Sequence, residues 1–168
     1  MRLFIAIRLS QAWMDALEEA QEALFHSGVT GNYPPVENLH ITLAFIGEYP
    51  DPEAVLEALD SVDFSPFVLR LNGFGNFGDL WWAGIGESAA LKACVKKIRR
   101  ALADAGIPYD RKRFSPHITL VRRAHIKRMP GIQLPDIPMD VDSISLMRSD
   151  RGKQGMVYTE IGRIIAGE

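Results

Sequence analysis

Short apolar runs alternate with segments of helical spacing along the whole chain. Apolar runs bounded by polar or glycine-containing segments predict strands at 3–7, 39–46, 67–75, 80–86, 114–121, 141–147 and 156–164. Three other segments show helical spacing, and each follows a residue that favours a helix start, namely Ser10, Asp51 or Ser88. Gly28 and Gly106 are placed to end the first and third helices. This mixture of elements predicts an α+β protein.

The tetrapeptide His-Ile-Thr-Leu occurs twice, at 40–43 and 117–120, an offset of 77 residues. The same offset aligns other predicted elements, because helix 12–24 falls on 89–101 and strand 67–71 falls on 144–148. The order strand, helix, His-Ile-Thr-Leu strand, connection, strand therefore recurs in each half. We expect one domain over residues 1–168, built from two pseudo-symmetric lobes. Each lobe should have a small, mostly antiparallel sheet with helices on its outer face.

Each tetrapeptide places two polar side chains on one face of a strand. Residues two apart share a face, so His40 and Thr42 project together, and His117 and Thr119 do the same. The isoleucine and leucine of each copy point the other way, into a core under the helices. If the lobes face each other, both polar pairs line one cleft between the two sheets.

Two imidazoles and two hydroxyls in one cleft suit a phosphodiester substrate. One histidine can remove a proton from the attacking oxygen and the other can protonate the leaving oxygen, because the ordinary pKa of histidine is about 6.5. Threonine hydroxyls can donate to phosphoryl oxygens, where charge accumulates in the transition state. Neither motif contains a carboxylate, and the histidines lack the spacing of a helical zinc site. We therefore expect chemistry that uses no metal and no cofactor.

Positive charge is concentrated in the second half of the chain. The net charge is only −2, yet residues 88–128 hold twelve lysines and arginines against two acidic residues, whereas 1–87 hold three against thirteen. A basic region around a histidine motif favours a phosphate-bearing partner such as RNA. The single cysteine, Cys94, excludes an internal disulfide, and no apolar stretch is long enough to predict a membrane span. A cytoplasmic protein is expected.

The paired motifs resemble those of the two-histidine phosphoesterase superfamily, defined by two H-x-[ST]-x sequences. The matching stretches are RLFIAIRL near the N-terminus, NLHITLAFIGE (38–48), RFSPHITLVR (113–122) and GMVYTEI in the final strand. They are most similar to the bacterial and archaeal RNA 2′,3′-cyclic phosphodiesterases, also called 2′-5′ RNA ligases. The resemblance implies hydrolysis of an RNA 2′,3′-cyclic phosphate end to a 2′-phosphate. It also allows a slow, ATP-independent reverse reaction that forms a 2′-5′ linkage with an RNA 5′-hydroxyl.

The resemblance also implies roles for two residues that follow the motifs. Arg122 lies five residues after His117, as in the family pattern H-x-T-x-x-R, and would bind the phosphate. Phe45 lies five residues after His40, where family members can stack a base. Strict alternation would put residues five apart on opposite faces of a strand. Each strand must therefore end or twist before Phe45 and Arg122.

By the same resemblance, His40 and His117 form the acid/base pair, and Thr42 and Thr119 bind the phosphate. Which histidine is the base stays open. Two other functions also stay open: a phosphodiesterase for a small cyclic nucleotide or for 2′-5′ oligoadenylate, and a catalytically silent module that binds RNA or nucleotides. The presence of both histidines and both threonines argues against a silent module. We expect a monomer, because the duplicated lobes already supply the symmetry.

Overall fold

The computed structural model describes residues 1–128 and 130–167. In this part of the chain the three predicted helices are confirmed as α1 (Gln11–His26), α2 (Pro52–Asp60) and α3 (Ala89–Asp104). In each case the side-chain oxygen of the preceding residue accepts a hydrogen bond from the backbone amide three residues later. The capping residues recognised in the sequence therefore set where the helices begin.

Nine strands occur in the same part of the chain: β1 (Arg2–Arg8), β2 (Thr30–Asn32), β3 (His40–Glu48), β4 (Phe67–Phe77), β5 (Leu80–Ile85), β6 (His117–His125), β7 (Pro138–Val141), β8 (Ser143–Gly152) and β9 (Gly155–Ile165). Seven of them correspond to predicted strands. The short strands β2 and β7 were not predicted, and both lie at a sheet edge. β7 opens with a proline in the proline-rich connection, which an edge strand tolerates because its outer amides need no partner.

The strands form two sheets in which every pairing is antiparallel, with the orders β3-β1-β8-β9 and β2-β6-β5-β4-β7. This confirms the predicted α+β class with two antiparallel sheets. The sequence did not indicate how the two halves interlock. β8 of the second half pairs with β1, whereas β4 of the first half pairs with β5. Each sheet is therefore completed by a strand from the other half.

One apolar core lies between the helices and the sheets. It contains the buried faces of α1, α2 and α3 together with Ile41, Leu43, Ile118 and Leu120, which are fully buried. The histidines and threonines between them are only partly buried. β3 and β6 thus direct their aliphatic side chains into the core and their polar side chains away from it, as the alternation predicts.

Candidate active site

The strand β3 contains a β-bulge directly after its His-Ile-Thr segment. Consecutive residues of β1 pair with Thr42 and Ala44, which leaves Leu43 as an extra residue in β3. Leu43 and Ala44 are both buried, so the alternation is reversed beyond them. Phe45 consequently lies on the same face of the strand as His40.

The same bulge occurs 77 residues later in β6. Consecutive residues of β5 pair with Thr119 and Val121, which leaves Leu120 as the extra residue. Leu120 and Val121 are both fully buried. Arg122 is therefore turned to the face that carries His117. The two bulges supply the change of face that the sequence required without showing its form.

The extra residue of each bulge is fixed by a side chain from a helix. The carbonyl of Leu120 accepts a hydrogen bond of 3.0 Å from Nε2 of Gln21, a buried residue of α1 that also donates to the carbonyl of Pro34 at 2.9 Å. The carbonyl of Leu43 accepts from Arg99 of α3, at 3.4 Å from Nε and 3.3 Å from Nη2. Each helix therefore stabilises the bulge of the strand from the other half.

His40 is held in one tautomer by its own segment. Its Nδ1 lies 2.7 Å from the carbonyl of Asn38, which can only accept, so Nδ1 carries the proton and Nε2 is the reactive nitrogen. Nε2 lies 2.8 Å from Oγ1 of Thr42. The ring packs against Phe4 and, edge to face, against Tyr158, with centroid distances of 4.9 and 5.4 Å. This enclosure makes His40 the more buried of the two motif histidines.

Burial lowers the pKa of His40 below its ordinary value of 6.5. The positive charges of Arg122 and His117 lower this pKa further, and the hydrogen bond to Asn38 opposes them only in part. Near neutral pH the His40 imidazole is therefore uncharged, which is the state in which its Nε2 can accept a proton.

His117 has the same backbone anchor in a more open setting. Its Nδ1 lies 2.8 Å from the carbonyl of Ser115, two residues earlier, as the Nδ1 of His40 does from Asn38. The ring of Phe77 meets His117 edge to face at 5.1 Å. Nε2 of His117 makes no hydrogen bond within residues 1–128 and 130–167. It is therefore available to a ligand.

The two histidines, Thr42, Thr119 and Arg122 line one cavity of about 600 Å³. Its outer wall comes from the segment around Tyr33 and from the turn between β8 and β9, including Tyr158. This volume lies in the range of sites that enclose a small molecule such as a nucleotide. The structure thus brings together all the polar residues that the two motifs nominated.

Phe45 does not line this cavity. It lines a neighbouring one that shares Thr42 and His117 with the first, and the guanidinium of Arg2 lies 5.2 Å from the centroid of its ring. Phe77 lines the same neighbouring cavity and is 48% exposed. Sequence analysis did not single out Phe77, because nothing in its local pattern separates an exposed aromatic at a strand end from a buried one.

The described residues contain neither a cluster of metal ligands nor a helix suited to a bilayer. Within them, no group of three or more His, Cys, Asp or Glu side chains is arranged to hold a metal ion. None of the helices there has the length and apolar character to cross a membrane.

Comparison with known proteins gives one consistent family. Residues 9–153 match the model of the 2′-5′ RNA ligase superfamily. A protein of Thermus thermophilus named RNA 2′,3′-cyclic phosphodiesterase is 34% identical over 176 residues, covering 95% of this chain and 87% of the relative. A protein of the same name from Aeropyrum pernix is 30% identical over 166 residues, covering 89% and 94%.

Solved structures agree with the sequence relatives. The crystal structure of E. coli LigT in its apo form superposes with a TM-score of 0.87 at 25% identity, covering 99% of this chain and 98% of LigT. LigT complexed with 3′-AMP gives 0.85 over the same shares. A Thermus thermophilus structure gives 0.83 at 31% identity, covering 98% and 97%. With the family model matching most of the chain, this protein belongs to the 2′-5′ RNA ligase superfamily.

Proposed function

We propose that this protein hydrolyses the 2′,3′-cyclic phosphate at the end of an RNA to a 2′-phosphate. The observation that carries the proposal is the convergence of two His-Thr pairs and Arg122 on one cavity of nucleotide size. The relatives named RNA 2′,3′-cyclic phosphodiesterase, which align over most of the chain, support the same activity.

In this mechanism His40 is the general base and His117 the general acid. His40 is uncharged near neutral pH because burial lowers its pKa, so its Nε2 can take a proton from water as the oxygen attacks phosphorus. The P–O3′ bond breaks, and His117 gives its Nε2 proton to the departing O3′. The product keeps the phosphate on O2′. The negative charge of the substrate favours the protonated form of His117.

The remaining polar residues stabilise the phosphoryl group. The hydroxyls of Thr42 and Thr119 donate to its non-bridging oxygens, and Arg122 adds a charge-assisted hydrogen bond. These groups meet the charge that develops in the transition state, so the reaction uses no metal. Phe45 can stack a base only in the neighbouring cavity, which it lines together with His117.

The same two histidines can also form a 2′-5′ linkage without ATP. The 5′-hydroxyl of a second RNA then takes the place of water, and the P–O3′ bond breaks as it does in hydrolysis. We propose this as a minor activity, because water reaches an open cleft at far higher concentration than an RNA end.

We further propose that the chain forms one bilobal domain with an internal repeat, and that it acts as a monomer in the cytoplasm. β3 and β6 begin 77 residues apart and carry bulges at the same offset. Each half contributes one His-Thr pair, so one chain completes the site. Light scattering during gel filtration should give a mass close to 18.7 kDa. A dimer mass would contradict the monomer proposal.

The activity is tested with RNA carrying a 2′,3′-cyclic end, free 2′,3′-cyclic mononucleotides and 2′-5′ oligoadenylate. Phosphorus NMR should identify a 2′-phosphate as the product of the first two. His40→Ala and His117→Ala should each lower turnover by about 10²–10⁴-fold while keeping the native circular dichroism spectrum. His125→Ala is the matched control, since His125 is exposed at the end of β6 outside the cavity. A 3′-phosphate product, or retained activity in either motif variant, would refute the mechanism.

A further inference from the structure

Two further cavities continue the cleft beyond His117. The first, of about 370 Å³, shares Thr42 and His117 with the catalytic cavity. The second, of about 560 Å³, shares Arg99, Arg113 and Phe114 with the first. Because each cavity shares lining residues with the next, they form a continuous path from the reactive phosphate position to the outer face of α3.

The far end of this path carries an excess of positive charge. Five of the eight residues that line the second cavity are cationic and none is acidic: Lys92, Lys96, Arg99, Arg100 and Arg113. Lys92 is paired with Glu87, and the one carboxylate on the path, Asp110, lies 3.9 Å from Nζ of Lys112. The other four cations form no ion pair within the described residues. Unpaired cations lining a groove attract phosphates.

Aromatic rings lie beside these cations. The guanidinium of Arg99 lies 5.8 Å from the ring centroid of Tyr109 and 5.9 Å from that of Phe114. Its Nη1 donates to the carbonyl of Lys112 at 2.7 Å, which fixes the charge in place. Phe77 presents an exposed ring next to His117 at the start of the path. A basic groove with aromatic platforms is the usual construction of a site for single-stranded nucleic acid.

We propose that the two cavities bind the RNA strand on the 5′ side of the cyclic phosphate. The catalytic cavity has the volume for one nucleotide, so its neighbours are left for the nucleotides that precede it. Lys96 and Arg100 bind backbone phosphates, and Phe77 offers a face to the penultimate base. This inference rests on the proposed function and narrows it: the substrate is an oligonucleotide end rather than a free cyclic mononucleotide.

The test compares a hexanucleotide with a 2′,3′-cyclic end and a 2′,3′-cyclic mononucleotide. Lys96→Gln/Arg100→Gln changes two residues of α3 that line only the outermost cavity. Its KM for the hexanucleotide should rise about tenfold, and the salt dependence of log(kcat/KM) should become shallower by about 0.7 for each phosphate that the variant no longer neutralises. Hydrolysis of the mononucleotide should stay within about twofold of wild type, since a single nucleotide does not reach α3.

Lys97→Gln/Lys127→Gln is the control, because it removes the same charge from residues that line none of the three cavities. It should leave the hexanucleotide KM unchanged. Unchanged hexanucleotide kinetics in the α3 variant, or an equal loss on both substrates, would overturn the strand site while the hydrolytic function stands. No turnover of either substrate by the wild-type protein would instead overturn the proposed function.

Discussion

The substitution Gln21→Leu tests whether the bulge in β6 orients Arg122. Gln21 is 8% exposed, and its amide is the side-chain donor to the carbonyl of Leu120. Leucine has a similar volume but no donor, so the buried carbonyl loses its partner, which costs about 1–3 kcal/mol. The carbonyl of Pro34 lies at the cavity and can turn to water instead. The free energy of unfolding should therefore fall by about 1–3 kcal/mol, measured from urea denaturation.

The same change should lower kcat/KM for a cyclic mononucleotide, because the bulge turns Arg122 toward the phosphate. A charge-assisted hydrogen bond contributes about 1.5–3 kcal/mol, which corresponds to roughly 10–150-fold in rate. The loss caused by Gln21→Leu should not exceed the loss caused by Arg122→Ala. If Gln21 acts through Arg122, adding Gln21→Leu to Arg122→Ala should cause no further loss.

Gln11→Leu is the matched control on the same helix. Gln11 is exposed and donates only to Asp15, at 2.8 Å, so this change should move stability by less than about 0.5 kcal/mol and leave kcat/KM unchanged. An equal drop in kcat/KM when Gln21→Leu is added to the wild type and to Arg122→Ala would refute the link between the bulge and Arg122. Stability of Gln21→Leu equal to that of the control would refute it as well.

Three other predictions follow from the site. The acidic limb of kcat/KM against pH should lie below 6.5, because His40 must be uncharged to act; Arg122→Ala should move that limb to higher pH, since the Arg122 charge helps to lower the His40 pKa, and a limb unaffected by Arg122→Ala would contradict this. Gly31→Ala should destabilise the protein by about 1–3 kcal/mol in thermal unfolding, because a Cβ there would lie 2.7 Å from the carbonyl oxygen of Arg122, whereas Gly131→Ala meets open space and should be neutral. EDTA should not reduce turnover, because histidine, threonine and arginine side chains carry every step; strong inhibition that zinc or magnesium reverses would contradict the metal-free mechanism.

Much of the fold was predictable because its signals are local. Helix caps at Ser10, Asp51 and Ser88 and the apolar runs depend on neighbours in the sequence, and they located three helices and seven strands. The polar pairs of β3 and β6 followed from the period of a strand. The repeated tetrapeptide gave the offset at which the structure begins the two strands.

The features that escaped prediction depend on distant partners. A bulge is defined by the register of the opposite strand, so the residues around Leu43 and Leu120 do not reveal it. The exchange of β4 and β8 between the sheets depends on which strand each one meets. β2 has three residues and too little pattern to read. The donors to the bulge carbonyls, Gln21 and Arg99, look in the sequence like any other polar residues of an amphipathic helix.

The most direct test of the paired mechanism uses a 2′,3′-cyclic substrate with sulfur in place of O3′. A thiolate leaves without protonation, because a thiol pKa is about 8.5, far below that of an alcohol. His117→Ala should therefore recover most of its activity on the sulfur substrate, whereas His40→Ala should stay inactive on both substrates. Recovery by His40→Ala instead, or by neither variant, would contradict the assignment of His40 as base and His117 as acid.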